Sequence, residues 1–257
     1  MIAGFDALPH GVGVALAALL GVLLGSFIAT LVLRWPEGRS VLGRSACDSC
    51  HRTLVSRDLV PILSSLVQRN HCRTCRAPID PFHMQVELAA ALVGALALAI
   101  LPGVAGWLWA LFGWLLLPLA LLDARHMWLP DRLNAILAVA GLLFAGPLLG
   151  ASLFDRWIGA LAGGALLAVV AFAYRRSRGR EGMGGGDPKL VAAIGCWIGW
   201  QTLPLMVLLA SLSGLVWALV AQGKRDRPLS QRTIPFGVFL AIAAWAAVPI
   251  WPLLSAG

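Results

Sequence analysis

Residues 88–122, LAAALVGALALAILPGVAGWLWALFGWLLLPLALL, form a run of 35 residues without a charged side chain. A helical membrane span needs about 20 predominantly apolar residues, and about 17 is the lower limit. The LPGVAG sequence at 101–106, in the middle of the run, is typical of a turn. This stretch therefore predicts two adjacent helices that cross a membrane.

Five further stretches of the chain carry the same signal. They lie between residues 6 and 34, 132 and 155, 156 and 175, 189 and 224, and 232 and 257. The GWQTLP sequence at 199–204 interrupts one of them and divides it into two spans. Backbone polar groups inside lipid must be hydrogen-bonded, so each span is predicted to be helical. The sequence predicts an all-α polytopic membrane protein with about eight transmembrane helices.

The composition excludes several other classes of protein. Of the 257 residues, 59% are hydrophobic and 12% are charged, and the mean hydropathy is +0.82. Soluble domains carry about 25% charged residues. A soluble globular enzyme, a disordered chain and a secreted disulfide scaffold are therefore excluded.

The basic residues lie on one side of the predicted spans. If the chain alternates sides, 19 of the 20 lysines and arginines fall in the loops near 34–87, 123–132, 175–189 and 224–232. Lys and Arg concentrate in cytoplasmic loops of membrane proteins. We therefore expect these loops to be cytoplasmic and both termini to be periplasmic. The net charge of +8 is then explained by the orientation of the basic loops towards the cytoplasm and by contact with anionic lipid. No nucleic-acid partner is predicted.

Four cysteines in the first basic loop have the spacing of a metal site. Cys47 and Cys50 form one C-x2-C pair, and Cys72 and Cys75 form a second pair after 21 intervening residues. Two such pairs hold one tetrahedral zinc ion in structural sites. The loop is predicted to be cytoplasmic, where disulfides are disfavoured. We predict a structural zinc site that folds the loop, and four unrelated or redox-active thiols are the alternative.

Two aspartates lie at predicted cytoplasmic ends of spans. Asp123 ends the third span, and Asp187 follows a glycine-rich segment and opens the sixth. Two neighbouring carboxyl groups resist joint ionisation, so one serves as general acid and the other as general base on a single water. The alternative is that each aspartate caps a helix or pairs with an arginine. Asp131 is a rival for the role of Asp123, although it also suits a helix start.

At this point five segments resemble the type IV prepilin peptidase family. In order along the chain they are Gly25-Ser26-Phe27 with Arg34-Trp35-Pro36, the four cysteines, Asp123 with Leu129-Pro130-Asp131, Gly184-Gly185-Gly186-Asp187 with Lys189-Leu190, and Ile234-Pro235-Phe236-Gly237. Together they extend over nearly the whole chain.

The resemblance implies a specific enzyme. It implies an aspartic endopeptidase of the bacterial inner membrane that removes the basic leader from prepilins and pseudopilins at the cytoplasmic face. By motif position, Asp123 and Asp187 would be the catalytic pair, and Glu87 matches a further family acid. Members with four cysteines commonly also N-methylate the new N-terminus with S-adenosylmethionine.

The resemblance also implies a division of the chain. Residues 1–33 would form the first span, 34–86 the zinc-binding loop and 87–257 the peptidase core.

Two alternatives to this function stay open. One is a peptidase without methyl transfer, and the other is a transporter or membrane scaffold with a zinc-organised loop. A transporter would place its acids near the bilayer midplane.

Overall fold

The chain is helical throughout most of its length. The computed structural model describes residues 9–43, 45–47, 49–179, 183–222 and 234–255, so Gly182 of the glycine-rich segment lies outside it. The described helices are α1 (His10–Arg34), α2 (Leu63–Val67), α3 (Phe82–Ile100), α4 (Val104–His126), α5 (Asp131–Phe144), α6 (Gly146–Leu149), α7 (Leu153–Arg178), α8 (Asp187–Gln222) and α9 (Phe236–Ser255).

The predicted all-α membrane fold is confirmed. Among the described residues, six helices are long and apolar enough to cross a membrane, namely α1, α3, α4, α7, α8 and α9. The expected number of about eight is close, because the two remaining predicted spans are also helical. One corresponds to the short helices α5 and α6, and the other is the second half of α8.

The fourth predicted span is shorter than expected, and a buried arginine lies at its end. Helix α5 has 14 residues, and the guanidinium of Arg156 donates to the carbonyl oxygens of Gly141 and Leu142 at 2.9 and 3.1 Å. The last carbonyl groups of a helix lack partners within the helix. Arg156, the one basic residue outside the four basic loops, therefore donates hydrogen bonds to the free carbonyl groups at the C-terminal end of α5.

Helix α8 combines the sixth and seventh predicted spans. It continues for 36 residues, but Gly199 has φ 69° and ψ 178°, which is not helical. Only glycine adopts this conformation readily. The interruption predicted at residues 199–204 is therefore a break within one long element, and no separate loop is needed there.

The chain divides into two compact units, Met1–Gly103 and Val104–Gly257. In the first unit, α1 packs along α3. A side chain at Gly25 would lie 2.6 Å from the Cα atom of Glu87, so the two backbones are in close contact. Small residues of this kind allow helices to pack tightly in lipid. The assignment of separate functions to 34–86 and 87–257 stays a prediction.

In the second unit, α8 is the central helix and packs against α5, α7 and α9. Its contact with α7 is glycine to glycine, since a Cβ atom at Gly159 would lie 2.8 Å from the carbonyl oxygen of Gly195. The indole of Trp197 donates to the carbonyl oxygen of Leu137 at 2.7 Å. These contacts hold the first half of α8 against both neighbours.

We predict that Gly159→Ala destabilises the protein by about 1–3 kcal/mol, because the added methyl group meets the backbone of α8. Gly11→Ala is the control, because no atom lies within 4 Å of its Cβ position. The measurement is thermal unfolding in detergent. Equal unfolding temperatures for the two variants would show that α7 and α8 are not in close contact at Gly159.

Candidate functional site

Asp123 lies in the last turn of α4 with 5% of its surface exposed. Its Oδ2 atom accepts a hydrogen bond from the backbone N–H of Val238 at 3.2 Å. Val238 is in the first turn of α9, where backbone N–H groups have no partner within the helix. The beginning of α9 therefore holds the Asp123 carboxyl group in place.

Gly237 makes this approach possible. A Cβ atom at this position would lie 2.8 Å from Oδ2 of Asp123 and 3.1 Å from its Cγ atom. In the sequence, Gly237 was noted only as a member of the Ile234-Pro235-Phe236-Gly237 motif, without a physical role. The structure gives the physical reason for the glycine, which is contact between the α9 backbone and a carboxyl group.

Asp187 is the first residue of α8 and is 4% exposed. The segment before it turns, and the N–H of Asp187 donates to the carbonyl oxygen of Gly184 at 3.2 Å. Gly186, which precedes Asp187, and Gly237, which contacts Asp123, both lie against Leu129. The structure thus brings together two acids that lie 64 positions apart in the sequence.

Leu129 is packed between the two aspartate-bearing segments. A Cβ atom at Gly186 would lie 2.7 Å from Cβ of Leu129, and one at Gly237 would lie 3.1 Å from its Cδ1 atom. Leu129 is buried in the connection between α4 and α5. Leu129 belongs to the Leu129-Pro130-Asp131 motif, which by itself predicts no such contact.

Asp131 does not take part in the pair. Its side chain is 71% exposed and forms an ion pair with Lys189 at 2.7 Å. It is the first residue of α5, as expected of a helix start, and the preceding residue, Pro130, is the N-cap. Exposed ion pairs of this kind contribute little to stability.

One further polar residue lies close to this end of the helices. Asn134 is one turn into α5 and 5% exposed, and neither atom of its amide has a hydrogen-bond partner among the described residues. Sequence reasoning missed it, because a single asparagine in an apolar helix is no signal by itself.

The four predicted cysteine ligands come together in the first unit. Their Sγ atoms all lie within 4.8 Å of one another, with 3.7 Å between Cys47 and Cys75 and 4.0 Å between Cys50 and Cys72. All four thiols are free. A tetrahedral zinc site with bonds of about 2.3 Å has sulfur atoms about 3.8 Å apart. The arrangement therefore fits a tetrahedral ion bound by four thiolates.

The two cysteine pairs have the same backbone geometry. The N–H of His51 donates to the carbonyl oxygen of Cys47, and the N–H of Arg76 donates to that of Cys72, at 2.9 and 3.0 Å. His51 and Arg76 both have positive φ, at 56°. Each pair is enclosed by an isolated antiparallel bridge, Ala46 with Thr53 and His71 with Pro78. The site is built from two equivalent turns.

The two thiols of the second pair differ in acidity. Against a hydrogen bond from the backbone of Ala77, burial and the neighbouring cysteines raise the pKa of the Cys75 thiol to about 11. Hydrogen bonds from the backbone N–H groups of Cys75 and Thr74 lower the pKa of the Cys72 thiol to about 6. A thiolate is the form that binds metals. The Nδ1 atom of His71 lies 2.6 Å from the carbonyl oxygen of Arg69. Cys196 is buried in α8.

A buried carboxylate that the sequence did not reveal connects the two turns. Asp58 is 8% exposed, and its carboxylate forms ion pairs with Arg52 after the first turn and Arg73 within the second. The Asp58–Arg73 distance is 2.9 Å. Removing one member of a buried ion pair leaves charge without compensation, which is costly. Asp58 therefore supports the arrangement of the cysteines.

Glu87 is buried in α3 and binds the same loop. Its Oε2 atom accepts a hydrogen bond of 2.7 Å from the backbone N–H of Ile62. Ile62 has φ 60°, a conformation that is uncommon for a branched residue. Within the first unit, Glu87 therefore fixes the loop to the end of α3.

Fold and sites define a class of protein. The chain is a multi-pass membrane protein with two buried aspartates at one end of its second unit and a four-thiol cluster in its first unit.

Comparison with known proteins gives the family. Residues 109–219 match the type IV leader peptidase family, and residues 19–101 match the bacterial peptidase A24 N-terminal domain. Proteins named prepilin leader peptidase/N-methyltransferase are similar along most of their length. The one from Aeromonas hydrophila is 37% identical over 92% of this chain and 90% of its own. The one from Burkholderia pseudomallei strain K96243 is 37% identical over 96% and 88%. No solved structure matches the chain.

The chain belongs to the type IV leader peptidase family. It is therefore a peptidase, and the predicted membership of the type IV prepilin peptidase family is confirmed. The alternative of a transporter or non-enzymatic scaffold is set aside.

We predict that Gly237→Ala lowers peptidase activity about tenfold to a hundredfold, because the methyl group displaces the Asp123 carboxyl group. Gly214→Ala is the matched control. Gly214 lies on α8 against Phe239 of α9, and its Cβ atom would make an ordinary contact of 3.6 Å. Activity is measured on a leader-bearing substrate with correctly folded protein. Full activity of Gly237→Ala would contradict the contact.

We predict one zinc ion per chain, lost on replacing Cys50 with Ala and retained on replacing Cys196 with Ala. The reason is that Cys50 is in the four-thiol cluster, whereas Cys196 is buried in α8. Metal content of the purified protein is measured by elemental analysis. A zinc-free wild type, or equal zinc loss in both variants, would contradict a metal site at the cluster.

Proposed function

We propose that the protein removes the leader peptide from type IV prepilins and pseudopilins, with Asp123 and Asp187 as the catalytic pair. The observation that supports this most strongly is that both acids are buried and lie on segments that contact the same residue, Leu129. The relatives from Aeromonas hydrophila and Pseudomonas aeruginosa carry the name prepilin leader peptidase/N-methyltransferase.

The paired acids suit hydrolysis through a single water. The unprotonated carboxylate takes a proton from the water, whose oxygen attacks the scissile carbonyl carbon. The protonated partner donates its proton to the carbonyl oxygen, and a tetrahedral diol forms. When the C–N bond breaks, a proton passes to the leaving amine, and the pair returns to its initial state. The backbone N–H of Val238 would keep the Asp123 carboxyl group oriented through both steps.

The distribution of charge favours the cytoplasmic side of the bacterial inner membrane for this pair. Lys189 and the arginines at the C-terminal end of α7 lie at the same end of the second unit as Asp187. Basic residues concentrate on the cytoplasmic side. The termini would then be periplasmic. A prepilin could place its apolar helix in lipid and present its leader junction at this end.

Zinc would have a structural role. Cys47, Cys50, Cys72 and Cys75 would hold it, and four thiolates leave no open position for water or substrate. The ion would fold a loop that has few buried apolar side chains of its own. Removal of zinc should therefore unfold the loop without changing the chemistry of the aspartates.

Methyl transfer from S-adenosylmethionine to the new N-terminus is a second proposed activity, supported by the names of the relatives. The cysteine loop contains a cavity of about 550 Å³ that Arg69, Arg73 and Arg76 line. Their positive charge does not suit the sulfonium and ammonium groups of this donor. We therefore assign the donor no residues there.

We predict that Asp123→Asn and Asp187→Asn each lower cleavage of a prepilin peptide by about 10²–10⁴-fold, because each removes one half of the acid–base pair. Asp131→Asn is the matched control, since its carboxylate is exposed and paired with Lys189. Reconstituted protein is assayed for release of the leader. The proposal fails if both Asn variants of the pair still cleave the peptide, or if Asp131→Asn is equally inactive.

A further inference from the structure

The cysteine loop presents an apolar surface. Five large aliphatic side chains at and before α2 are 41–74% exposed; we call them the apolar ledge, and they are Leu59, Val60, Leu63, Leu66 and Val67. Contiguous exposed apolar groups mark a surface that binds a partner or a membrane. The loop is small, so this much exposed apolar surface calls for an explanation.

The ledge adjoins a basic cavity. Val67 lines the cavity of about 550 Å³ together with His71, Arg69, Arg73 and Arg76. Arg73 is paired with Asp58, but no carboxylate among the described residues lies within ion-pair distance of Arg69 or Arg76. Two uncompensated guanidinium groups therefore face a concave site. Guanidinium groups bind phosphate oxygens well, often with two hydrogen bonds.

The ledge is fixed at the end of a membrane-spanning helix. The backbone N–H of Ile62, between Val60 and Leu63, donates to Glu87 in the second turn of α3. Helix α3 begins at Phe82 and has the length and hydropathy of a membrane span. The ledge and the cavity are therefore attached where a span leaves the apolar layer, at the level of lipid headgroups.

We propose that this surface binds an anionic phospholipid of the surrounding bilayer, with its acyl region on the apolar ledge and its phosphate in the cavity between Arg69 and Arg76. Apolar contact and arginine charge are the two components of binding at a membrane surface. The leader of a prepilin is itself basic, so it does not fit the same cavity. An acidic protein segment would use the arginines but would leave the adjoining ledge uncovered.

The test uses the full zinc-loaded chain in neutral detergent, titrated with dioctanoylphosphatidylglycerol or dioctanoylphosphatidylcholine and examined by native mass spectrometry. Wild type should retain phosphatidylglycerol in preference to phosphatidylcholine. Arg69→Gln and Arg76→Gln should each weaken retention about fivefold, since one basic residue near an anionic surface contributes about 1 kcal/mol, or about fivefold in affinity. Equal retention of the two lipids would overturn the proposal.

Matched variants separate the local site from general effects. Arg39→Gln removes an arginine of the same loop that is already paired with Glu37, and it should change retention less than twofold. Arg69→Lys and Arg76→Lys keep the charge and should retain most of the binding. If Arg39→Gln weakens binding as much as Arg76→Gln, the effect is net charge and the proposal fails. Zinc content checks that each variant is folded.

Competition identifies the source of the phosphate. Leu66→Ser should weaken retention of phosphatidylglycerol, because it removes part of the ledge, and inorganic phosphate should displace the lipid poorly. Displacement by phosphate at concentrations similar to the lipid, with no effect of Leu66→Ser, would show a site for free phosphate and contradict a lipid site. Tighter binding of polyglutamate than of phosphatidylglycerol would indicate an acidic protein partner and would also overturn the proposal.

Discussion

The approach of the carboxyl groups of Asp123 and Asp187 is the interaction on which the rest of the account depends. Two acids that are almost completely buried, at the ends of apolar helices, require an environment built to hold them. The structure meets this requirement with backbone N–H groups and with close backbone packing at glycines. The first turn of α9 donates to Asp123, and glycines 186 and 237 leave room for Leu129 between the segments.

Helix packing in the second unit also helps to hold the two aspartates in place. Asp187 lies in the first turn of α8, and the first half of this helix is held by glycine contacts with α7 and by the hydrogen bond from the Trp197 indole to α5. At the far end, Arg156 satisfies the carbonyl groups of the short helix α5. The basic residue that falls outside the basic loops therefore has a structural explanation.

The membrane spans, the cysteine cluster and the candidate acids could be predicted from the sequence, but the physical signals behind these predictions differ in strength. Long uncharged runs predict helices in lipid reliably, because unpaired backbone groups are excluded there. The spacing of the four cysteines predicted their cluster, since two C-x2-C turns have one favourable arrangement around a metal. The residues alone made Asp131 a rival of Asp123 while favouring it as a helix start, and the family resemblance then selected Asp123.

Other features depend on tertiary contacts and left no signal in the sequence. Asp58 connects the two cysteine turns through arginines that are close only after folding. The hydrogen bond from Arg156 of α7 to the C-terminal end of α5 likewise joins groups that are close only after folding. A break at residues 199–204 was visible, but a glycine with positive φ inside one continuous helix could not be told from a loop.

The most direct test of the central claim is an experimental structure of the protein in a lipid bilayer, at a resolution that locates carboxyl oxygens and water. We expect oxygen atoms of Asp123 and Asp187 to lie within about 3 Å of one shared water. Carboxyl groups too far apart to share a water, or on opposite sides of the lipid, would contradict the account.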